Sequence, residues 1–207
     1  MKKSDRVSDY HDYLTIQKER SIAKWHSVSF DEKMFIKTLL SALPEMIVAR
    51  THKVLRPDNI CCMGIRNGNE YNSLKKYQAS ITEISKSKIF GVDLTPYVEK
   101  VGDNCFAYDF NKLPKDWLNK FDFIYSNSID HSYNIQETIT EWHRLLKNDR
   151  YMLLQMSTSE KVCSTDIYSF KEDDCLKLFS EKMFEIMYIW KEYKQKDFFN
   201  VLLRIIK

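Results

Sequence analysis

Short apolar runs of strand length recur through the middle of the chain and alternate with segments of helical periodicity. The predicted strands are rich in β-branched or aromatic residues. They are Asn59–Met63, Lys88–Val92, Asn104–Tyr108, Phe121–Tyr125 and Tyr151–Met156. Between them, apolar spacing predicts helices over Glu70–Ser80, Pro114–Lys120 and Ile135–Lys147. Alternation of this kind is typical of a mainly parallel sheet with helices on both faces.

The C-terminal third departs from this rhythm. A helix is predicted over Lys171–Ser180, and two strand-like runs follow at Met183–Trp190 and Phe199–Ile206, joined by the segment EYKQKD (192–197). Two adjacent strands with a short connection favour an antiparallel pair at one edge of the sheet. The sequence therefore predicts an α/β fold with a Rossmann-like doubly wound sheet, mainly parallel, with an antiparallel C-terminal edge pair and helices on both faces.

The first 54 residues are helical and amphipathic in pattern, with a break at SVSFD (27–31), where Ser29 is expected to cap a helix that begins near Asp31. No linker or repeat marks a domain boundary. We therefore expect residues 1–54 to form a helical lid or substrate-binding extension of one domain whose core is 55–207, with Trp25 and Phe30 as its anchors.

Composition narrows the class of protein. The chain has 207 residues, 43% of them apolar, which suits one buried core. Its formal charge of +3 comes from 32 basic and 29 acidic residues spread evenly, so neither a nucleic-acid stripe nor a membrane surface is indicated. No signal-peptide core or bilayer-spanning run is visible. The five cysteines lack zinc-ligand spacing, so we expect no metal, free thiols and a cytoplasmic location. Nothing in the pattern indicates an oligomeric state.

Ligands of open parallel sheets bind beyond the carboxyl ends of the strands, so the residues that follow each strand are informative. After the first strand comes a glycine-bounded turn, Gly64–Glu70, that opens a helix. Gly64 allows close backbone approach to a ligand, and Gly68 allows a tight helix start. A lone G-x-x-x-G is equally compatible with an ordinary turn.

Acidic residues follow the second and third strands. Asp93 comes 25 residues after Gly68, near the interval of roughly 20 at which an acid meets ribose hydroxyls in nucleotide-binding folds. It could instead cap the Thr95-Pro96 turn. Asp109 can accept an adenine amino group, and Phe110 can cover the ring. Three suitable strand ends together favour a nucleotide-like ligand.

The fourth strand ends in a run of polar side chains, Ser126-Asn127-Ser128-Ile129-Asp130-His131. Polar groups at a carboxyl strand end are expected where a pocket presents hydrogen bonds to a ligand. His131 can accept a proton near neutral pH, with Asp130 or Asn127 orienting the acceptor or the imidazole. His131 is also compatible with a helix cap.

Taken in order, these segments resemble the class I S-adenosylmethionine-dependent methyltransferases. The resemblance spans about 55–207 and rests on Cys62–Gly68, Gly91–Leu94, Tyr108–Pro114, Phe121–Ser128, Trp142–Lys147 and Arg150–Leu154. It implies S-adenosylmethionine as cofactor and methyl transfer to an acceptor. A small molecule or sugar is favoured as acceptor, because a nucleic acid would favour a basic stripe and a protein often needs added modules. The polar run after the fourth strand makes His131 and Asp130 the catalytic candidates. The resemblance implies cofactor contacts from Gly64, Arg66, Asn67, Gly68, Asp93, Leu94, Asp109, Phe110, Ser126 and Asn127.

The chain departs from the family pattern at two points of the first motif. Arg66 replaces the usual middle glycine, and it either crowds the methionine moiety or pairs with its carboxylate. No acid precedes Gly64, since Cys61-Cys62 stand there. Two alternatives therefore stay open. One is a catalytically inactive methyltransferase-like binding subunit. The other is a nicotinamide-dependent oxidoreductase, which would require the G-x-G-x-x-G that this chain lacks.

Overall fold

The structure is a computed structural model that describes residues 1–26, 30–48, 56–159, 162–179, 182–191 and 197–207. Within these ranges, none of the helices combines the length and the apolar character that a membrane span requires. The elements along the chain are β1 Lys2–Lys3, α1 Tyr10–Ala23, α2 Glu32–Val48, β2 Asn59–Met63, α3 Asn69–Tyr77, β3 Lys88–Asp93, β4 Cys105–Ala107, β5 Phe121–Ser126, α4 Ile135–Leu145, β6 Leu146–Ser157, β7 Tyr168–Ser169, α5 Glu172–Leu178, β8 Phe184–Trp190 and β9 Phe198–Ile205.

Seven of the strands form one sheet in the order β4-β3-β2-β5-β6-β9-β8. The pairs from β4 to β6 are parallel, whereas β9 runs antiparallel to both β6 and β8. This confirms the predicted doubly wound, mainly parallel sheet with an antiparallel C-terminal edge pair. The strand order reverses between β2 and β5, which makes their carboxyl ends the switch point where such sheets bind ligands.

The central strands are buried on both faces, which explains why they read as continuous apolar runs. Successive residues of β2 contribute to opposite core layers, because side chains alternate across a sheet. Cys61 and Met63 join the layer that contains Trp142 of α4, and Ile60 and Cys62 join the layer that contains Leu74 of α3. The sheet is thereby covered on both sides by helices.

The four helices predicted for the core have different bounds from those observed. The helix predicted over Glu70–Ser80 is α3, Asn69–Tyr77, followed by a 3-10 turn, and the helix predicted over Lys171–Ser180 is α5, Glu172–Leu178. Pro114–Lys120 contains only one 3-10 turn, Lys115–Trp117. Its apolar spacing reflects Trp117, whose ring packs edge-on against the ring of Phe121 at 5.3 Å in the core. The helix predicted over Ile135–Lys147 ends at Leu145.

Strand β6 begins at Leu146, earlier than predicted, because the segment is held to the sheet by buried charge. The Asp122 carboxylate on β5 accepts hydrogen bonds from Lys147 at 3.0 Å and from Arg150 at 2.8 Å. These ion pairs lie directly after α4, so the chain turns into a strand at the point where helical periodicity alone would continue.

The N-terminal segment crosses the carboxyl end of the sheet. Helix α1 is capped by Asp9, whose carboxylate accepts the Asp12 N–H at 2.9 Å, and it buries Tyr13 completely. The predicted cap Ser29 lies outside the described residues. Asp31 instead accepts the Met34 N–H at 2.9 Å at the start of α2. Ahead of α1, β1 pairs antiparallel with β7 in a second, two-stranded sheet that the sequence pattern did not predict.

Candidate functional site

The turn after β2 requires glycine at two positions. Gly64 has φ +80° and Gly68 has φ +83°, a region that side chains with a Cβ rarely adopt. A Cβ on Gly64 would lie 2.5 Å from the Ser128 Cβ, and a Cβ on Gly68 would lie 2.3 Å from a Val101 methyl group. Arg66, between them, also has a positive φ of 42°. The glycines therefore fix a strained turn that packs closely on its neighbours.

Asp93, at the end of β3, holds this turn in place. Its carboxylate accepts the backbone N–H of Arg66 at 2.7 Å and that of Thr95 at 3.0 Å. Burial raises the pKa of Asp93 above its ordinary value. Each carboxylate oxygen still has acceptor capacity, since it receives one hydrogen bond here. Asp93 thus acts both as a cap of the Thr95 turn and as a clamp on the glycine turn.

Helix α1 closes over the turn. Between them lies a small, partly open space of ≈ 20 Å³, which we call the inner cavity. Its lining consists of Tyr13, Gln17, Ser21, Gly64, Arg66, Asp93, Leu94, Phe110, Ser128 and His131. Such a volume holds about one water molecule. In this conformation α1 therefore fills most of the space above the glycine turn.

Asp109, after β4, contacts α1 directly. The Tyr10 hydroxyl donates to one carboxylate oxygen, and Asn111 donates to the other through its backbone N–H at 2.9 Å and its side-chain amide at 2.6 Å. Burial and the adjacent carboxylate raise the pKa of Tyr10, which keeps the hydroxyl protonated as a donor. The Phe110 ring packs edge-on against Trp142 at 5.6 Å.

A second, wider space opens on the other side of His131. This outer cleft has a volume of ≈ 780 Å³. It is lined by Arg20, Asn127, Asp130, His131, Ser157, Thr158, Ser159, Asp166, Asp197 and Phe198. His131 lines both spaces. The imidazole therefore stands at the boundary between the inner cavity and the outer cleft.

Two contacts bear on the tautomer of the His131 ring. Nδ1 lies 2.6 Å from the Thr165 carbonyl oxygen, which can only accept, and 2.8 Å from Nη1 of Arg20, which can only donate. The tautomer with the hydrogen on Nδ1 satisfies the shorter contact and leaves Nε2 as an acceptor, 3.7 Å from Oδ1 of Asp130. The Arg20 guanidinium is held by Asp166 at 2.8 Å.

Two buried carboxylic acids flank this boundary. Oδ1 of Asp130 has no hydrogen-bond partner among the described residues, and burial raises the pKa of Asp130. Glu70, at the start of α3, accepts the Asn127 side-chain amide at 2.8 Å. Burial raises the pKa of Glu70 to about 7. Glu70 and Asn127 thereby join the glycine turn to the end of β5.

No protein-family model and no curated protein matches the chain. Solved structures match it over almost its whole length. The 1,6-didemethyltoxoflavin-N1-methyltransferase of Burkholderia thailandensis, with bound 1,6-didemethyltoxoflavin and S-adenosylhomocysteine, has a TM-score of 0.67 at 15% identity, over 99% of this chain and 93% of that chain. The fold is that of class I S-adenosylmethionine-dependent methyltransferases.

Two further structures with this methyltransferase fold are similar. An S-adenosylmethionine-dependent methyltransferase from Clostridium acetobutylicum has a TM-score of 0.63 at 13% identity, over 96% of this chain and 99% of that chain. The magnesium protoporphyrin IX methyltransferase from Synechocystis, with bound S-adenosylmethionine, has a TM-score of 0.61 at 14% identity, over 97% of this chain and 100% of that chain. At such identities the likeness establishes the fold.

The structure divides the predicted site residues between the two spaces. Those that line the inner cavity are Gly64, Arg66, Asp93, Leu94, Phe110 and His131. Asn127 and Asp130 line the outer cleft. Gly68, Asn67 and Asp109 are outside both linings, with Asn67 half-buried in the turn.

Ser126 is also outside both linings. It is fully buried, donates to the Met63 carbonyl at 3.1 Å and accepts the Ser128 N–H at 3.1 Å. These bonds order the end of β5 against β2, so Ser126 has a structural role in this conformation. A cofactor contact from Ser126 stays a prediction.

Sequence reasoning did not identify the residues that α1 contributes. Their signal was present, since positions 10, 13, 17 and 20 recur at helical spacing on one face. Asp166 gave no such signal. It lies in the connection between β6 and β7, and it reaches His131 and Arg20 only through the folded structure.

Proposed function

We propose that the protein is an S-adenosylmethionine-dependent methyltransferase that acts on a small-molecule acceptor. The observation that carries this proposal is the buried Asp93 carboxylate, clamped to the positive-φ glycine turn at the switch point of this fold. Ligands of open α/β sheets bind at that point. The similar structures from Burkholderia thailandensis and Synechocystis hold S-adenosylhomocysteine and S-adenosylmethionine, respectively.

The residues around the inner cavity suit the chemical groups of the cofactor. Asp93 has acceptor capacity for ribose hydroxyls, and Gly64 permits close backbone approach. Phe110, which lines the cavity, suits the adenine ring, and Asp109, which lies outside the lining and accepts from Tyr10, suits the adenine amino group once α1 moves away. Arg66 lines the cavity, and its guanidinium suits the methionine carboxylate, which favours pairing over crowding. S-adenosylmethionine supplies an electrophilic methyl group on a sulfonium sulfur.

Helix α1 must move for a cofactor to bind at the glycine turn. The ≈ 20 Å³ between α1 and the glycine turn is far too small for a nucleoside-containing ligand. Tyr13 and Gln17 fill the space that such a ligand requires. We propose that residues 1–54 act as a lid whose first helix moves outward when the cofactor enters and then covers it, excluding water from the reacting groups.

The acceptor is proposed to bind in the outer cleft, next to His131. A volume of ≈ 780 Å³ is within the usual range for small-molecule sites. Methyl transfer is a direct displacement, so the protein must align donor and acceptor and exclude water. Nε2 of His131 is placed to accept a proton from the acceptor, because Nδ1 is committed to the Thr165 carbonyl.

Calorimetric titration with S-adenosylhomocysteine tests the proposal. We expect saturable binding to the wild type, and a loss of about 1–3 kcal/mol in Asp93→Ala from the missing charge-assisted contacts. Asp93 also clamps two backbone N–H groups, so Asp93→Ala should melt earlier. Asp93→Asn, which keeps one acceptor oxygen, separates affinity from stability. Asp103→Ala removes an exposed carboxylate elsewhere as the matched control.

Three outcomes would contradict the proposal. Absence of calorimetric binding of S-adenosylhomocysteine to the folded wild-type protein would exclude this cofactor. A melting temperature raised by nicotinamide dinucleotides instead would favour an oxidoreductase. Cofactor binding without methyl transfer to any acceptor would favour a binding subunit that has kept the site.

A further inference from the structure

The outer cleft carries an excess of negative charge among its described lining residues. Three carboxylates, those of Asp130, Asp166 and Asp197, stand against one guanidinium, that of Arg20. Arg20 is committed to Asp166, with 2.8 Å between Nη1 and Oδ1. Among the described residues, no lysine or arginine other than Arg20 lines the cleft, so the group beside Asp130 that can carry a positive charge is the His131 imidazole, with Nε2 3.7 Å from Oδ1.

Among these three carboxylates, Asp130 is the one whose environment indicates a bound ligand. Its side chain is 8% exposed, and its Oδ1 accepts no hydrogen bond from the described residues. A buried carboxylate oxygen without a partner costs free energy that a bound donor would recover. Burial raises the pKa of Asp130, and a cation seated beside it would lower that pKa again.

The neighbouring imidazole supplies a second acceptor at a suitable distance. Nε2 of His131 lies 3.7 Å from Oδ1 of Asp130 and has no hydrogen when Nδ1 donates to Thr165. Two acceptors at this separation allow one nitrogen with two N–H groups to donate to both at about 2.9 Å, once the Asp130 side chain turns to bring the buried Oδ1 to the cleft. A hydroxyl has one hydrogen and no positive charge, so it can satisfy only one of the two acceptors.

We infer that the acceptor is an amine, bound as a cation in the outer cleft between Asp130 and His131. This inference rests on the proposed methyltransferase function. An N–H proton passes to Nε2 of His131, and the freed lone pair of the amine forms the new N–C bond. The C–S bond breaks with its electron pair going to sulfur, which leaves an N-methylated product and S-adenosylhomocysteine.

A metal ion is the competing occupant of this place. Asp130, His131 and Asp166 offer ligand atoms within 4.8 Å of one another. One observation favours the amine. The Arg20 guanidinium already occupies the place between His131 and Asp166, with Nη1 2.8 Å from Nδ1 of His131 and 2.8 Å from Oδ1 of Asp166. The position that lacks a positive charge is therefore the one beside Asp130.

The test compares cations with neutral molecules of the same shape. Ethylammonium with ethanol, benzylammonium with benzyl alcohol, and guanidinium with urea are titrated into the protein saturated with S-adenosylhomocysteine, in the presence of a chelator. In at least one pair we expect the cation to bind at least about tenfold more tightly, which corresponds to about 1.4 kcal/mol. Asp130→Asn should abolish this preference, while Asp103→Asn, an exposed carboxylate outside the cleft, should retain it.

The outcomes separate this inference from the proposed function. If the protein binds S-adenosylhomocysteine but binds cation and neutral isostere equally in all three pairs, the amine inference is wrong. The proposed methyltransferase function is then unaffected. Failure to bind S-adenosylhomocysteine removes both. If the protein shows no amine preference but binds Mg²⁺ or Mn²⁺ saturably, and Asp130→Asn removes that binding, the place beside Asp130 is a metal site. Unchanged amine preference in Asp130→Asn, confirmed as folded by its circular dichroism, also overturns the inference.

Discussion

The inner cavity and the outer cleft share one wall, His131, but they are built in different ways. The inner cavity depends on backbone geometry, chiefly the positive-φ turn at Gly64 and the Asp93 carboxylate that clamps it. The outer cleft is lined by side chains from α1, the end of β5, the β6–β7 connection and the start of β9. Its lining residues span positions 20 to 198 of the chain.

This difference has a consequence for how each space can change. Substituting a residue of the glycine turn alters the main chain, which the rest of the fold constrains closely. Substituting a residue of the outer cleft alters one side chain, and the sheet beneath is unaffected. A fold of this kind can keep one cofactor while it changes acceptors, because the two tasks lie on separate parts of the structure.

We expect the largest effect, a loss of turnover, from substituting His131, which lines both spaces. His131→Ala should lower turnover by about 10²–10⁴ once an acceptor is in hand, because the proton loses its acceptor nitrogen. Affinity for S-adenosylhomocysteine should change little. Single-turnover rates and calorimetry on the same sample make the comparison. A variant that turns over normally but melts earlier would reduce His131 to a structural contact with Thr165.

The next effect concerns the Glu70–Asn127 contact that links the two regions. The pKa of Glu70 is raised from 4.5 to about 7, so the fold favours the protonated acid. That contribution to stability is complete below about pH 4.5 and is lost as pH rises through about 7. Glu70→Gln mimics the protonated form. Between about pH 5 and pH 8.5, the wild type should lose about 2–3 kcal/mol relative to Glu70→Gln.

Denaturant unfolding at the two pH values measures this difference. Glu99→Gln, at an exposed position, controls for removal of a carboxylate. A constant offset between the wild type and Glu70→Gln across the pH range would show that Glu70 is ionised in the fold without cost.

A smaller effect should be confined to the inner cavity. Gly64→Ala forces a Cβ into a positive-φ position 2.5 Å from the Ser128 Cβ, which we expect to cost about 2 kcal/mol of stability and to weaken cofactor binding. Gly102→Ala is the comparison without backbone strain, since Gly102 has no positive φ, although its Cβ would meet the hydroxyl of Tyr71 at 2.8 Å. Equal melting temperatures for the two variants would contradict a rigid turn.

The smallest effect tests the lid. Tyr10→Phe removes the hydroxyl that donates to Asp109, which frees that carboxylate and loosens α1. We expect S-adenosylhomocysteine to bind more tightly by about 1 kcal/mol, the value of one hydrogen bond. Proteolysis in the region of residues 20–30 should be faster in the variant and should slow when the ligand is added. Equal cleavage rates with and without S-adenosylhomocysteine would contradict a lid.

The sheet could be predicted from sequence because its strands are buried on both faces. Strand β2 has the predicted bounds, Asn59–Met63, since an apolar run between Asn59 and Gly64 has clear limits. Pro114–Lys120 misled for the opposite reason. There the apolar spacing comes from a single ring packed into the core, that of Trp117, and one buried residue does not define a helical period over one turn. Each strand of the β1–β7 pair is two residues long, which is too short to show the alternation of apolar and polar positions that predicts a strand.

The candidate site was predictable to the extent that strand ends supply it. Asp93 and Gly64 follow their strands directly, so the topology alone places them together. The contacts of α1 required knowing that this helix crosses the sheet, which no local pattern states. Asp166 required knowing the path of a long connection. Sequence thus indicated the inner cavity better than the outer cleft.

The small β1–β7 sheet ties the start of the chain to the connection that forms one wall of the outer cleft. Ser4 donates to the Ile167 carbonyl at 2.8 Å, and farther along α1 Gln17 donates to the Thr165 carbonyl at 2.9 Å. A displacement of α1 that opens the inner cavity must therefore also strain or shift this wall. The two ligands are then thermodynamically linked, and any factor by which the acceptor changes cofactor affinity must equal the factor by which the cofactor changes acceptor affinity.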